Sequence, residues 1–291
     1  MPRIVPIVLL AFIVQPAPPP DTEIFLATLS LRATPAVGRP TNITSSPGYD
    51  NQPSFTPDGA AILFTSNRGG SQTDIFRYEI ASGATSRITS TPEGEYSPTV
   101  TPDGAHISVI RVEADGTQRL WRFTLAGAQP ELVLERVKPV GYHAWADDHT
   151  LALFVLGQPA TLQLADAHTG GAEELARGIT RSILRVPGRG TISFVDRDED
   201  GSLMIRELDP KTKQKTTIVA AVAGAKEADL AWTPDGVLLM AEKDVLYIYK
   251  RDETSWKRVA DLAALGMHGV TRIAVSPTSD RIAFVTDGRT P

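Results

Sequence analysis

Asp196, Asp198 and Asp200, followed by Gly201 and Glu207, reproduce the spacing of an EF-hand calcium loop. Alternating carboxylates suit a hard cation that takes oxygen ligands, but an EF-hand needs a helix to carry its last glutamate back to the ion. Residues 203–208 read instead as a strand. At about 3.3 Å per residue, Glu207 then lies roughly 20 Å from Gly201 and cannot close the site. Met204 occupies the place where a later carboxylate could serve. Three aspartates alone leave weak calcium binding, in the extracellular range of about 10⁻⁴–10⁻³ M, or a plain solvated hairpin turn. The plain hairpin is the simpler reading, and no cofactor is expected.

Other reactive sets are thinner. The histidines are His106, His143, His149, His168 and His268. A transition-metal centre needs three or more convergent ligands, and these five fall at dispersed points of the repeat described below. Only His143 comes near the start of an innermost strand. Cysteine is absent, which removes disulfides, thiolate zinc sites and cysteine nucleophiles. There is no Gly-x-Ser-x-Gly nucleophile elbow. Gly69-Gly70 and Gly170-Gly171 fall in hairpin turns rather than at the strand-to-helix junctions where phosphates bind. Net charge is −5 with no block of like charges, so nothing points to nucleic acid.

The elements that must position any site come from a repeat. Phe55-Thr56-Pro57-Asp58-Gly59, Val100-Thr101-Pro102-Asp103-Gly104 and Trp232-Thr233-Pro234-Asp235-Gly236 each precede a short apolar run, as does Val275-Ser276-Pro277. Asp58 and Asp103 are 45 residues apart, and so are Asp235 and Asp280. Two degenerate copies fill the gap, at Trp145-Ala146-Asp147-Asp148 and Val186-Pro187-Gly188. Proline fixes φ, aspartate bonds the local backbone and glycine supplies positive φ, so each copy opens on a tight turn. Each then reads as four short strands, the blade of a propeller. Third strands are expected at 74–78, 119–123, 162–164, 203–205 and 246–249.

The sixth copy stops after two strands, at Val285. Its third strand is expected at the other end of the chain, in Thr22-Glu23-Ile24-Phe25-Leu26, and its fourth in Thr41-Asn42-Ile43-Thr44. The fold class is therefore an all-β, six-bladed β-propeller over residues 21–291, its last blade closed by N-terminal strands. Closing the ring in this way removes exposed strand edges and predicts a monomer. Ahead of it, Arg3 precedes an apolar stretch from Ile4 to Val14. That is too short to span a bilayer and suits the core of a signal peptide. Residues 1–20 are thus expected to be a signal peptide or N-terminal anchor, with the protein periplasmic or secreted.

Ser66-Asn67-Arg68-Gly69-Gly70 with Asp74-Ile75-Phe76, behind Thr-Pro-Asp-Gly, resembles the WD40-like (PD40) repeat of TolB-type propellers. The likeness covers residues 21–291 and is sharpest in the first two copies. It implies the propeller alone, because TolB-type proteins also carry an N-terminal α/β domain for which this sequence leaves no room. It further implies a bacterial envelope location and, for some members, a protein-binding role. Related propellers also serve as lyases and as non-catalytic domains of peptidases, so fold analogy leaves function open.

One constellation remains: the residues that enter the innermost strands and converge on one mouth of the central channel. Counted back from Pro-Asp-Gly, these are Asp50, Glu95, Tyr96, Tyr142, His143, Arg181, Glu227, Asp229 and Arg272. The expectation is a non-catalytic scaffold that binds a protein or peptide partner there, through a mouth carrying both signs of charge. The alternative is a metal-dependent lyase or hydrolase acting on a small or carbohydrate substrate at the same mouth.

Overall fold

The computed structural model describes residues 20–68, 70 and 72–287. The expected signal or anchor segment, residues 1–20, lies almost wholly outside the described residues.

Strands follow the repeat. The N-terminal group is β1 (Glu23–Ser30), β2 (Ala36–Val37) and β3 (Thr41–Asn42). Blade 1 comprises β4 (Asp50–Phe55), β5 (Ala61–Ser66), β6 (Asp74–Glu79) and β7 (Thr85–Arg87). Blade 2 comprises β8 (Gly94–Val100), β9 (His106–Val112), β10 (Gln118–Thr124) and β11 (Glu131–Leu132). Blade 3 comprises β12 (Val140–Trp145), β13 (Thr150–Val155), β14 (Thr161–Asp166) and β15 (Ala172–Arg177). Blade 4 comprises β16 (Ile183–Val186), β17 (Thr191–Arg197), β18 (Leu203–Leu208) and β19 (Lys215–Ala220). Blade 5 comprises β20 (Asp229–Trp232), β21 (Leu238–Glu242), β22 (Val245–Tyr249) and β23 (Lys257–Asp261). Blade 6 begins with β24 (Arg272–Val275) and β25 (Arg281–Thr286). It is completed by β1, which pairs antiparallel with β25 from Glu23 opposite Thr286 to Thr28 opposite Arg281. Both β2 and β3 then pair with the far side of β1. The fold is the six-bladed all-β propeller, closed by its N-terminal strands.

The turns form for the reasons their residues suggest. The Thr56 hydroxyl donates to Asp58 at 2.6 Å, the Gly59 amide to the Thr56 carbonyl at 2.8 Å, and Gly59 takes φ +69°. The same bonds recur at Thr101–Gly104 and Thr233–Gly236. In blade 6 Ser279 stands in the glycine position and still adopts φ +58°.

Second strands are buried on both faces, β5 along its whole length, because each blade is covered by its two neighbours. Apolar clusters fill the seams between blades. Leu63, Ile75, Ile107, Val109 and Phe123 join blades 1 and 2, while Ile183, Ile192 and Phe194 meet Ala152 and Leu162 between blades 3 and 4. Two seams carry a polar pin: Trp145 Nε1 donates to Ser108 Oγ at 3.0 Å, and Trp232 Nε1 to Ser193 Oγ at 2.8 Å. Each pin runs from an innermost strand to the second strand of the preceding blade.

Candidate functional site at the central channel

The innermost strands β4, β8, β12, β16, β20 and β24 surround a cavity of about 480 Å³. Gln52, Ser97, Tyr142, Ile183, Asp229 and Arg272 share one register position, three residues before Phe55, Val100, Trp145, Val186, Trp232 and Val275, and all six lie on its wall. Ser54, Thr99, Arg185, Ala231 and Ala274 line it two residues further on. Four of those five are small, which is why the channel stays open. Pro57, Pro187, Pro234 and Pro277 edge its far end.

Of the expected mouth residues, Tyr142, His143, Arg181, Asp229 and Arg272 line this cavity. Arg272 reaches from blade 6 to the opposite side of the ring, where its Nη2 donates to the Tyr142 hydroxyl of blade 3 at 2.7 Å. Its guanidinium also lies 5.1 Å from the centre of the Tyr142 ring. Arg181 grips Asp229 with both fork nitrogens, at 2.9 to 3.2 Å, and donates to the Thr271 carbonyl at 3.0 Å. Tyr96 is half-buried and meets Tyr49 edge to face, with ring centres 6.3 Å apart. Glu227 is exposed on the loop before β20, off the channel wall.

Three expectations need correction. Asp50 and Glu95 are 1% and 0% exposed and do not bring charge to the channel. Asp50 is held by Arg68 at 3.1 and 3.2 Å, and burial pushes its carboxyl above the usual range. Glu95 accepts from the Thr89 and Thr91 hydroxyls, with Arg111 Nε at 3.6 Å, and burial pushes it up to about 7. The cause is a β-bulge in each of blades 1 to 3, between Asn51 and Ser54, Tyr96 and Thr99, and Val140 and Tyr142. Each adds one residue to the innermost strand, so counting back across it exchanges the two faces. His143 is the third case. Its side chain turns into the seam with blade 2, where Nε2 lies 2.7 Å from Ser108 Oγ, and burial lowers its pKa to about 4. It is a neutral, fixed imidazole.

The site also contains residues that the repeat did not single out. Tyr49 precedes β4, interacts electrostatically with Arg272, Tyr142, Tyr96 and Arg181, and is raised by burial to about 12. Its hydroxyl keeps its proton and remains a donor at every physiological pH. Gln52 spans from blade 1 to accept the Ser97 amide at 3.0 Å. Arg185 was hidden because blade 4 is one of the most degenerate copies.

The donor set does not fit a metal centre. His143 is the only histidine on the wall, Asp229 is already taken by Arg181, and three guanidiniums face one carboxylate. Among the described residues no group of three histidines or carboxylates could hold a metal ion. In the 196–207 loop, Arg206 Nε holds Asp196 at 2.7 and 2.8 Å, and Asp200 accepts from the Ser202 amide and hydroxyl. Glu207, opposite Ser193 rather than beside the loop, binds Arg189 and Arg251.

Comparison with known proteins matches residues 21–177 to the TolB beta propeller domain, PD40. The Tol-Pal system protein TolB of Bordetella pertussis is 64% identical over 28 residues, 10% of this chain. That match spans only 6% of the relative's length. A chain assigned as TolB from Agrobacterium tumefaciens superposes with a TM-score of 0.71 at 17% identity, over 92% of this chain and 98% of the other. An oligogalacturonate lyase in complex with manganese superposes at 0.60 with 14% identity, over 85% and 79% of the two chains. At such identities the superpositions establish the fold alone.

Proposed function

This chain belongs to the TolB β-propeller family, and from that footing we propose that it is a non-catalytic scaffold docking a protein or peptide partner at the central channel. The observation that carries the reading is the convergence of Tyr142, Arg181 and Arg272 on the channel wall, with the Tyr49–Tyr96 ring pair close by. Tyrosine and arginine are the side chains through which protein interfaces gain most of their affinity, because each offers a rigid apolar surface with a polar tip. Here they are held in place before any partner arrives. The manganese-bearing lyase fold offers a second reading in principle, but two unneutralised guanidiniums repel a cation where its ligands would have to gather.

Residues 21–291 are read as one propeller, exported to the periplasm or beyond by the segment before it, and acting as a monomer. The test is association kinetics with a partner recovered from envelope extract. Arg272→Glu is expected to slow association at low salt, and about 0.5 M salt is expected to erase most of the difference. Unchanged association in the variant, with binding lost instead through substitutions on the outer strands β15 or β19, would move the site off the channel.

A further inference from the structure

The channel wall carries Arg181, Arg185 and Arg272 against a single carboxylate, Asp229. Arg181 consumes that carboxylate. The Arg272 guanidinium gives one hydrogen bond, to a neutral phenol, and meets no carboxylate among the described residues. Arg185 is exposed, and its side chain has neither hydrogen bond nor ion pair with any described residue. Two positive charges therefore stand uncompensated in the cavity of a protein whose net charge is −5. By contrast, Arg68, Arg111, Arg119, Arg189 and Arg206 are ion-paired within the fold.

Their spacing has a meaning. Arg185 lies two residues along the innermost strands from the register of Arg272, because Ile183 occupies that register in blade 4. Two strand residues rise about 6.6 Å, and the same distance separates alternate side chains of an extended peptide. The channel is crossed at one end by the Arg272–Tyr142 bridge and is edged at the other by Pro57, Pro187, Pro234 and Pro277.

We propose that the channel receives an extended acidic peptide segment, with carboxylates two residues apart meeting Arg185 and Arg272. This rests on the partner-docking reading above and gives the partner its chemistry. A planar guanidinium fork recognises carboxylate in two parallel bonds, and the Tyr142 hydroxyl stands beside Arg272 to complete the shell. Small residues along the wall leave room for the peptide backbone.

The experiment is calorimetric titration of the full chain with end-capped octapeptides carrying Glu at two alternate positions, or Gln at both. A third peptide has a free C-terminal carboxylate and one Glu, and trigalacturonate serves as a non-peptide carboxylate. The Glu peptide is expected to bind roughly 10- to 100-fold more tightly than the Gln peptide. Arg185→Gln is expected to remove roughly five- to tenfold of that difference while leaving the melting temperature unchanged, since Arg185 makes no side-chain hydrogen bond or ion pair with any described residue. Equal or tighter binding of the free-end peptide supports the same site and identifies a chain terminus as its source. Equal affinity for Glu and Gln peptides, displaced by the native partner, would overturn the carboxylate inference and leave channel docking standing. If no peptide binds while the partner still does, the peptide proposal falls and the partner-docking reading stands. Tight, Arg185-dependent binding of trigalacturonate without peptide binding would assign the channel to a sugar acid and overturn the peptide proposal.

Discussion

Glu95 is the sharpest point at which the buried electrostatics can be tested. It sits in the seam between blades 1 and 2, fully enclosed, with its oxygens bonded to the Thr89 and Thr91 hydroxyls. Burial dominates, and the neighbouring Asp74 charge adds to it, so the carboxyl rises from 4.5 to about 7. A carboxyl that prefers its proton in the fold binds more protons folded than unfolded throughout that window. Stability is therefore highest below about 4.5 and declines as pH rises towards about 7. The displacement corresponds to about 3 kcal/mol at most, or roughly 6 °C in melting temperature for a protein of this size. Glu95→Gln keeps the shape and the neutral form, accepts from the same hydroxyls, and leaves Arg111 its contact with Glu93. Thermal melts of both proteins between about pH 5 and about pH 8 should nearly coincide at the acid end and separate at the alkaline end, with the variant the more stable. A constant gap across that range would mean that Glu95 is ionised throughout and that the enclosure argument is wrong.

Two further outcomes are expected. Deleting residues 22–45 removes β1 and its partners, strips six residues of pairing from β25 and should make the protein aggregate; a truncated chain that elutes as a monomer and melts like the parent would refute closure by the N-terminal strands. Calcium at micromolar concentration should leave the melting temperature unchanged, because Arg206 and Ser202 already occupy the loop carboxylates; a saturating shift abolished by Asp198→Ala would show that the ion displaces those contacts.

The architecture was legible because its punctuation is chemical. Thr-Pro-Asp-Gly specifies a turn through several residue properties at once. Even Ser276–Ser279, which lacks both the aspartate and the glycine, keeps the backbone bond from the Ser279 amide to the Ser276 carbonyl and the positive φ, with Asp280 accepting from the Ser276 hydroxyl. Closure by residues 22–44 could be read because a half-built blade at one terminus needs its missing strands from the other. The site was only partly legible. Tyr142, Arg181, Asp229 and Arg272 were reached because counting back from the turn crosses no bulge on the way. In blades 1 and 2 the count does cross one, and alternation then transfers Asp50 and Glu95 from the presumed rim to the seams. No residue type announces such a bulge: Gln52 and Ser97 adopt φ +55° and +54° without being glycine.

Once the bulges are in place, the charges divide by location. The acidic residues nearest the axis are spent inside the protein: Asp50 on Arg68, Glu95 on threonines and Arg111, and Asp229 on Arg181. The Thr89 and Thr91 bonds secure the loop that enters blade 2, and the Asp229–Arg181 pair fixes blade 5 to the segment that enters blade 4. Two of the three channel arginines are not matched in return: apart from the Arg272 bond to the Tyr142 hydroxyl, Arg185 and Arg272 meet no ion-pair partner among the described residues. The low-dielectric walls of the surrounding blades strengthen the charge left unbalanced there. The unmatched charge of the channel wall comes from Arg272, which the repeat supplied, and from Arg185, which a count from the repeat could not supply.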